Sequence, residues 1–240
     1  MLTYAYPEYY EKVFKKWYPE DIVRPKSIMM DSGAWTAKTQ GKELDLREYI
    51  DYCKYVLKTC PVPVEIVGLD VIGAPSEVTY ENCRIMQEEG IECIPTFHYG
   101  ENFSWLDVYA KNWRKIGLGR VMAKPKEAER FFHDSFVYLY REGLWPTRVH
   151  SFGLAGRPIL QQFPFQSADC NSYLINGVKY GIWMGSYGRM SVRGENRQKA
   201  QKVDIKGACR LEREVASRWR STFQQLPEED WEDLEEHDIH

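Results

Sequence analysis

The sequence predicts an α/β protein, and within that class a compact (β/α)8 (TIM) barrel. Short apolar strand signals alternate with amphipathic helical stretches, the rhythm of βαβ units in a parallel sheet. Eight such signals fit into about 225 residues, near the roughly 250 typical of an eight-stranded barrel. Several of the strand signals also stop at an acid, a histidine or a glycine. In barrels, groups at the C-terminal strand ends build the active site. An open doubly wound sheet is the competing architecture.

Leu2 to Tyr6 reads as a first strand, and Glu8 to Trp17 as a helix ended by Pro19. Ser27 to Met30 is a short buried strand cut off by Asp31-Ser32-Gly33, where Gly33 permits a tight turn and Trp35 offers a flat face beside the acid. An Asx-turn is the structural reading of that stop. Asp45 to Lys58 is amphipathic, with Leu46, Tyr49, Ile50, Cys53 and Leu57 at helical spacing. Asp45 with Glu48 makes a capping-box pattern.

Val64 to Asp70 is the third strand and again ends in an acid. Ser76 caps a helix running through Glu89 and stopped by Gly90. Ile91 to His98 is the fourth strand, Asn102 to Trp113 a helix, and Lys115 to Gly119 a fifth strand ending in glycines. Lys126 to Arg141 is helical. Arg148 to Gly153 is the sixth strand, Ile159 to Phe163 a short helix, and Phe165 to Asp169 the seventh strand. Lys179 to Met184 is the eighth, followed by a long basic helix from about Glu195 to Phe223.

Residues 1–226 are assigned to the catalytic barrel with its C-terminal basic helix, and residues 227–240 to an acidic tail. The tail holds eight acids and no Lys or Arg, so removing them from the net charge of −3 leaves +5 on residues 1–226. A mildly basic body favours a polyanionic partner. No apolar run approaches the roughly 18 residues of a membrane span, so no membrane partner is expected. The N-terminal residues lack the basic start and apolar core of a signal peptide. The six cysteines include no Cys-x-x-Cys pair and read as reduced thiols of a cytoplasmic protein, without a metal site.

Asp31, Asp70, His98, Gly117, Gly119 and Asp169 all fall at strand ends. Three carboxylates and a histidine at one mouth suit acid/base or glycosyl chemistry. One carboxylate attacks C1′ and holds the sugar as an ester, while another moves protons on the leaving and entering groups. Neighbouring like charges raise one pKa so that an acid keeps a proton near neutrality. A third carboxylate accepts from the N–H groups of a purine-like base. Glycines let backbone amides approach a flat ligand, on which Trp35, Phe97, Tyr99 and Phe152 are placed to stack. Each has a structural counterpart: Asp70 as a loop cap, His98 as a core histidine, Asp169 as an N-cap, the aromatics as barrel packing.

These residues resemble those of a known family. Asp31-Ser32-Gly33-Ala34-Trp35 resembles the Asp-Ser-Gly-Gly-aromatic motif of the queuine/archaeosine tRNA-guanine transglycosylases. Gly117-Leu118-Gly119 is similar to that family's Gly-Leu-Ala segment, which meets the base through its backbone. Phe152-Gly153-Leu154-Ala155-Gly156 resembles its Met-Gly-Val-Gly turn, and Ala168-Asp169-Cys170 its Phe-Asp-Cys segment. The compact size, Phe97 to Glu101, and the Ser-Ala-Asp-Cys-Asn-Ser-Tyr stretch at 167–173 look like the phage DNA-guanine transglycosylases. Those enzymes replace guanine in phage DNA with a 7-deazaguanine, an anti-restriction modification.

The resemblance implies Asp169 as nucleophile and Asp31 as general acid/base. It implies that Asp70 reads the Watson–Crick side of the base, that Ser32 and Gly33 line its pocket, and that Trp35 and Phe152 sandwich it. His98 falls where the tRNA enzymes place a base-binding Gln. Only Cys209 follows Cys170, so the structural zinc subdomain of the tRNA enzymes is missing, which favours the DNA branch. The partners implied are DNA, with tRNA as the alternative, and a free 7-deazaguanine base as co-substrate without other cofactor. A glycosylase or nucleosidase ending in hydrolysis, or a catalytically idle binding barrel, are the other readings. Location in the host cytoplasm follows if the chain is phage-encoded. Arg120 and Lys124, together with Arg189, Arg193 and Arg197, form the candidate phosphate track, for which a solvated helix face is the structural counterpart.

Overall fold

A computed structural model describes residues 2–7, 10, 27–119, 125–153, 157–169, 182–185, 188–191, 210–222 and 224. Its architecture is mixed α/β with parallel sheets. In chain order the elements are β1 (Leu2–Thr3), β2 (Ile28–Asp31), α1 (Ala34–Thr39), α2 (Leu46–Thr59), β3 (Val64–Val67), α3 (Ser76–Glu88), β4 (Cys93–Ile94), β5 (Thr96–His98), α4 (Phe103–Asn112), β6 (Lys115–Gly119), α5 (Pro125–Arg141), β7 (Arg148–Phe152), α6 (Arg157–Gln162), β8 (Ser167–Ala168), β9 (Ile182–Gly185) and β10 (Gly188–Ser191). A last helix, α7, spans 210–222.

The strand order is β1-β2-β3-β4 in one ladder and β5-β6-β7-β8 in the other, every pair parallel. The two ladders meet at one polypeptide segment. Cys93 and Ile94 pair with β3, and Thr96 to His98 pair with β6. Pro95 separates them because it has no N–H to give, yet its carbonyl accepts from the Gly117 amide at 2.8 Å. The order therefore climbs one strand at a time from β1 to β8. It never reverses, as a doubly wound sheet must at its switch point.

Side chains alternate across the two faces of this sheet. Register places Ile28, Met30, Ile66, Phe97, Ile116, Leu118 and Val149 on one face, and all are buried. That face takes the helices. In α2, Tyr49, Ile50, Cys53 and Val56 are buried, and the Tyr49 hydroxyl donates to the Val67 carbonyl at 2.7 Å. Gly68 admits α3, since a Cβ there would lie 2.3 Å from Cys83 Sγ. The cap of α2 is Asp45 accepting from the Glu48 amide, and that of α4 is Asn102 accepting from the Ser104 amide.

The other face carries Thr3, Met29, Asp31, Glu65, Val67, Ile94, Thr96, His98, Lys115, Gly117, Gly119, Arg148, His150, Phe152 and Ser167. Met29, Val67, Ile94 and Phe152 are its apolar members, and the charged and polar side chains beside them suit a site better than a helix-packing surface. Toward the N-terminal ends, Lys115 Nζ meets Glu65 Oε1 at 2.6 Å.

The stop at Asp31-Ser32-Gly33 carries the Asx-turn hydrogen bond, from the Gly33 amide to the Asp31 carboxylate, and leads directly into the helix α1. Several expectations need correction. The third strand ends at Val67, leaving Asp70 three residues beyond it. Ser76 is the first helical residue of α3, after Pro75. Leu57 is 43% exposed, and Val56 takes the buried position. Phe97 is fully buried among Phe103 and Phe131, so it does not face a ligand. The expected eighth strand is β9, which pairs antiparallel with β10. Only two residues separate them, the spacing of a hairpin and too short for a crossover helix.

The first expected helix apart from residue 10, the acidic tail 227–240, Cys170, Cys209, Arg120, Lys124, Arg193 and Arg197 lie outside the described residues. Arg189 is placed on β10 opposite Met184. Cys53, Cys83 and Cys93 are buried free thiols, and Cys60 is half-buried. Among the described residues, no helix is long and apolar enough to cross a membrane.

Candidate active site

Asp31 closes β2 on the polar face. Its carboxylate accepts hydrogen bonds from the Gly33 amide and from Thr3, the residue opposite it on β1. Gly33 makes this corner possible. Its φ of +79° is a left-handed conformation, and a Cβ there would sit 2.6 Å from Ala5 Cβ and 2.8 Å from the Ala5 amide nitrogen. The chain can then turn at once into α1.

Burial and the negative charges of Asp70 and Asp169 push the Asp31 carboxyl up to about 7, against the pull of its two hydrogen bonds. Asp70 and, more weakly, Asp169 thus lie near enough to Asp31 for their charges to act on it, although β2 and β8 are five interstrand steps apart in the strand order.

Asp70 reaches the same place from the loop after β3. Its Oδ1 accepts from the Ser32 hydroxyl at 3.2 Å, and its Oδ2 bonds His98 Nε2 at 3.0 Å. A carboxylate has about four lone-pair sites, so two remain for a ligand. Burial works against a charged His98, but the hydrogen bond and charge of Asp70 outweigh it and raise its pKa. The His98 amide donates to Glu101 Oε2 at 2.8 Å, fixing the loop beyond β5.

Asp169 follows β8 and stays in its ladder, its amide donating to the Ser151 carbonyl at 3.1 Å. Asp169 Oδ1 is 3.1 Å from His150 Nε2 and accepts from the Gly153 amide, also at 3.1 Å. Beyond the imidazole, His150 Nδ1 lies 2.8 Å from Ser167 Oγ. Burial holds the His150 pKa down, assisted by the charge of Lys115 and opposed by Asp169 and Glu65.

The remaining residues divide. Phe152 is half-buried, its ring 4.4 Å from that of His150. A Cβ on Gly117 would meet the Phe152 ring at 2.2 Å, and one on Gly119 would meet His98 Nδ1 at 2.7 Å. These glycines therefore make room for rings from neighbouring strands, and the Gly117 amide is already committed to Pro95. Leu118 points its side chain into the helix layer, where it is fully buried. Ser32 is also fully buried and acts on Asp70 instead of lining an open pocket. Trp35 is 48% exposed on α1 and Tyr99 is 44% exposed, its ring edge-on to Phe131.

Sequence reasoning passed over Thr3, His150 and Ser167. The signal for His150 was present: it stands two residues before Phe152 on the same strand and so shares its face. Comparisons with protein-family profiles, curated proteins and solved structures find no match to this chain.

Proposed function

We propose that this chain is a DNA-guanine transglycosylase, exchanging guanine for a 7-deazaguanine base through a covalent glycosyl–Asp169 intermediate. The sheet in this reading closes on its polar face as a barrel, which is the simplest way for β2 and β8 to bring acids together. The single observation that carries the proposal is the set of strand-end acids with fixed carboxylates: Asp31 on the polar face, Asp70 held by Ser32 and His98, and Asp169 held by His150 and the Gly153 amide. The motif resemblance supplies the substrate class.

Each acid then has a separate task. Asp169 attacks C1′, forming the C1′–O bond as the C1′–N9 bond breaks and its electron pair leaves on the base. Asp31, about half protonated near pH 7, gives its proton to a ring nitrogen of the departing guanine. The incoming 7-deazaguanine attacks C1′ through N9, releases the ester, and returns a proton to Asp31. Asp70, held by Ser32 and His98, accepts from the N–H groups of the base edge. The target guanine has to be flipped out or single-stranded to reach the site.

Incubation with labelled guanine or a labelled 7-deazaguanine, plus either DNA or tRNA, tests the reading. Label entering DNA supports it. Label entering tRNA alone rejects DNA as the substrate. Base release without incorporation assigns a glycosylase, and no reaction with either nucleic acid leaves a binding protein.

A further inference from the structure

Among the described residues, the Asp169 carboxylate is gripped from one side only. Both of its hydrogen-bond donors, the His150 ring and the Gly153 amide, fall on Oδ1. We infer that His150 is a positioning residue for Asp169: as a neutral Nε2–H imidazole fixed by Ser167, it turns Oδ2 toward the ligand as the attacking atom. The attack itself rests on the proposed base exchange; the orientation and tautomer do not.

The proton assignments follow from the partners. An ionised carboxylate only accepts, so the ring nitrogen facing Asp169 carries the hydrogen. A neutral ring then has its lone pair on Nδ1, and the Ser167 hydroxyl donates to it. Protonating Nδ1 would require the hydroxyl to turn away and accept. It would also place a cation in a nearly solvent-free position above Lys115, itself mostly buried and paired with Glu65. The groups facing the ring are Asp169, Ser167, Lys115 and Glu65, with Phe152 against its edge.

Neutrality matters for the chemistry. An imidazolium would bind the Asp169 carboxylate strongly and lose that stabilisation once the ester forms, raising the barrier to attack. A neutral N–H holds the oxygen in place with a weaker preference for the ionised form. The ladder bond from the Asp169 amide to Ser151 fixes the backbone, and His150 shares with the Gly153 amide the control of the remaining side-chain rotation.

Three variants and one spectrum test this. His150→Gln keeps an N–H near the Nε2 position, whereas His150→Phe keeps ring volume and removes both nitrogens. Base exchange on DNA should lose about 100-fold in kcat in His150→Phe with KM changed less than about threefold, as expected for misplacement of a reacting group. His150→Gln should recover at least tenfold of that loss. Equal kcat in all three proteins, or a loss confined to KM, overturns the inference. Independently of activity, ring nitrogen shifts of 15N-histidine-labelled protein should show His150 as the neutral Nε2–H tautomer at pH 7 and above. In Ser167→Ala the tautomer should persist, because Asp169 alone demands the hydrogen on Nε2, while the Nδ1 shift should move as that nitrogen loses its hydroxyl donor. A doubly protonated or Nδ1–H ring at pH 7 overturns the inference even where exchange is found. A wild-type protein that exchanges no base but shows the expected tautomer overturns the proposed function alone.

Discussion

Replacing Asp31 by Asn should make the folded protein more stable at alkaline pH and no more stable at acid pH. Asp31 stands at about 7 in the fold against 3.8 for an unperturbed carboxyl. A carboxyl whose pKa is raised by folding contributes stability that is full below its unfolded value and is lost as pH rises through its folded value. Above pH 7 the wild type therefore carries a carboxylate where burial, Asp70 and Asp169 all oppose it. The difference of about three units corresponds to a ceiling of about 4 kcal/mol. Asp31 retains partial contact with solvent, and discounting for screening leaves roughly 2 kcal/mol. Asn has the same shape and can still bond the Gly33 amide and Thr3. For a chain of this size the gain is a rise in Tm of roughly 4–8 °C at pH 8, vanishing near pH 4. Thermal unfolding of both proteins across pH 4–8 reads the difference. His98 and His150 titrate in both and cancel to first order. An Asn variant less stable at pH 8, or a difference independent of pH, would refute the raised pKa of Asp31.

Two further substitutions probe the corners of the site. Gly33→Ala should destabilise by more than about 2 kcal/mol, because the left-handed φ is joined by contact with the chain at Ala5; denaturant unfolding with an unchanged midpoint would sink that account. Gly117→Ala should drive the Phe152 ring off the sheet and lower base exchange at least tenfold, with a smaller loss of stability than Gly33→Ala. Activity unchanged in Gly117→Ala would mean that the position of Phe152 is irrelevant to the reaction.

Much of the scaffold was legible because hydrophobic period and capping are local properties. The amphipathic helix after Asp45 and the helix after Asn102 formed where their caps and apolar stripes placed them. What failed was decided by partners distant in the chain. Lys179 to Met184 looks like any buried strand, and only pairing reveals that it belongs to a hairpin. Leu57 satisfies helical spacing, but the sheet lies on the Val56 side. The glycines at 117 and 119 were correctly singled out for close approach, yet what approaches is a ring from the next strand. Asp31, Asp70 and Asp169 were visible as strand-end acids. The strand order that sets where they stand relative to one another is a long-range property no local pattern encodes. His150 was readable from period-two alternation once Phe152 had been placed on the polar face.

The most direct test is to map the covalent intermediate. DNA containing the target guanine is incubated with the protein in the absence of incoming base, denatured, and digested for peptide mass spectrometry. The account predicts a nucleic-acid adduct on the peptide containing Asp169, formed with release of free guanine and absent from Asp169→Ala. An adduct on a different residue, or guanine released by wild type with no adduct at any time, would contradict it.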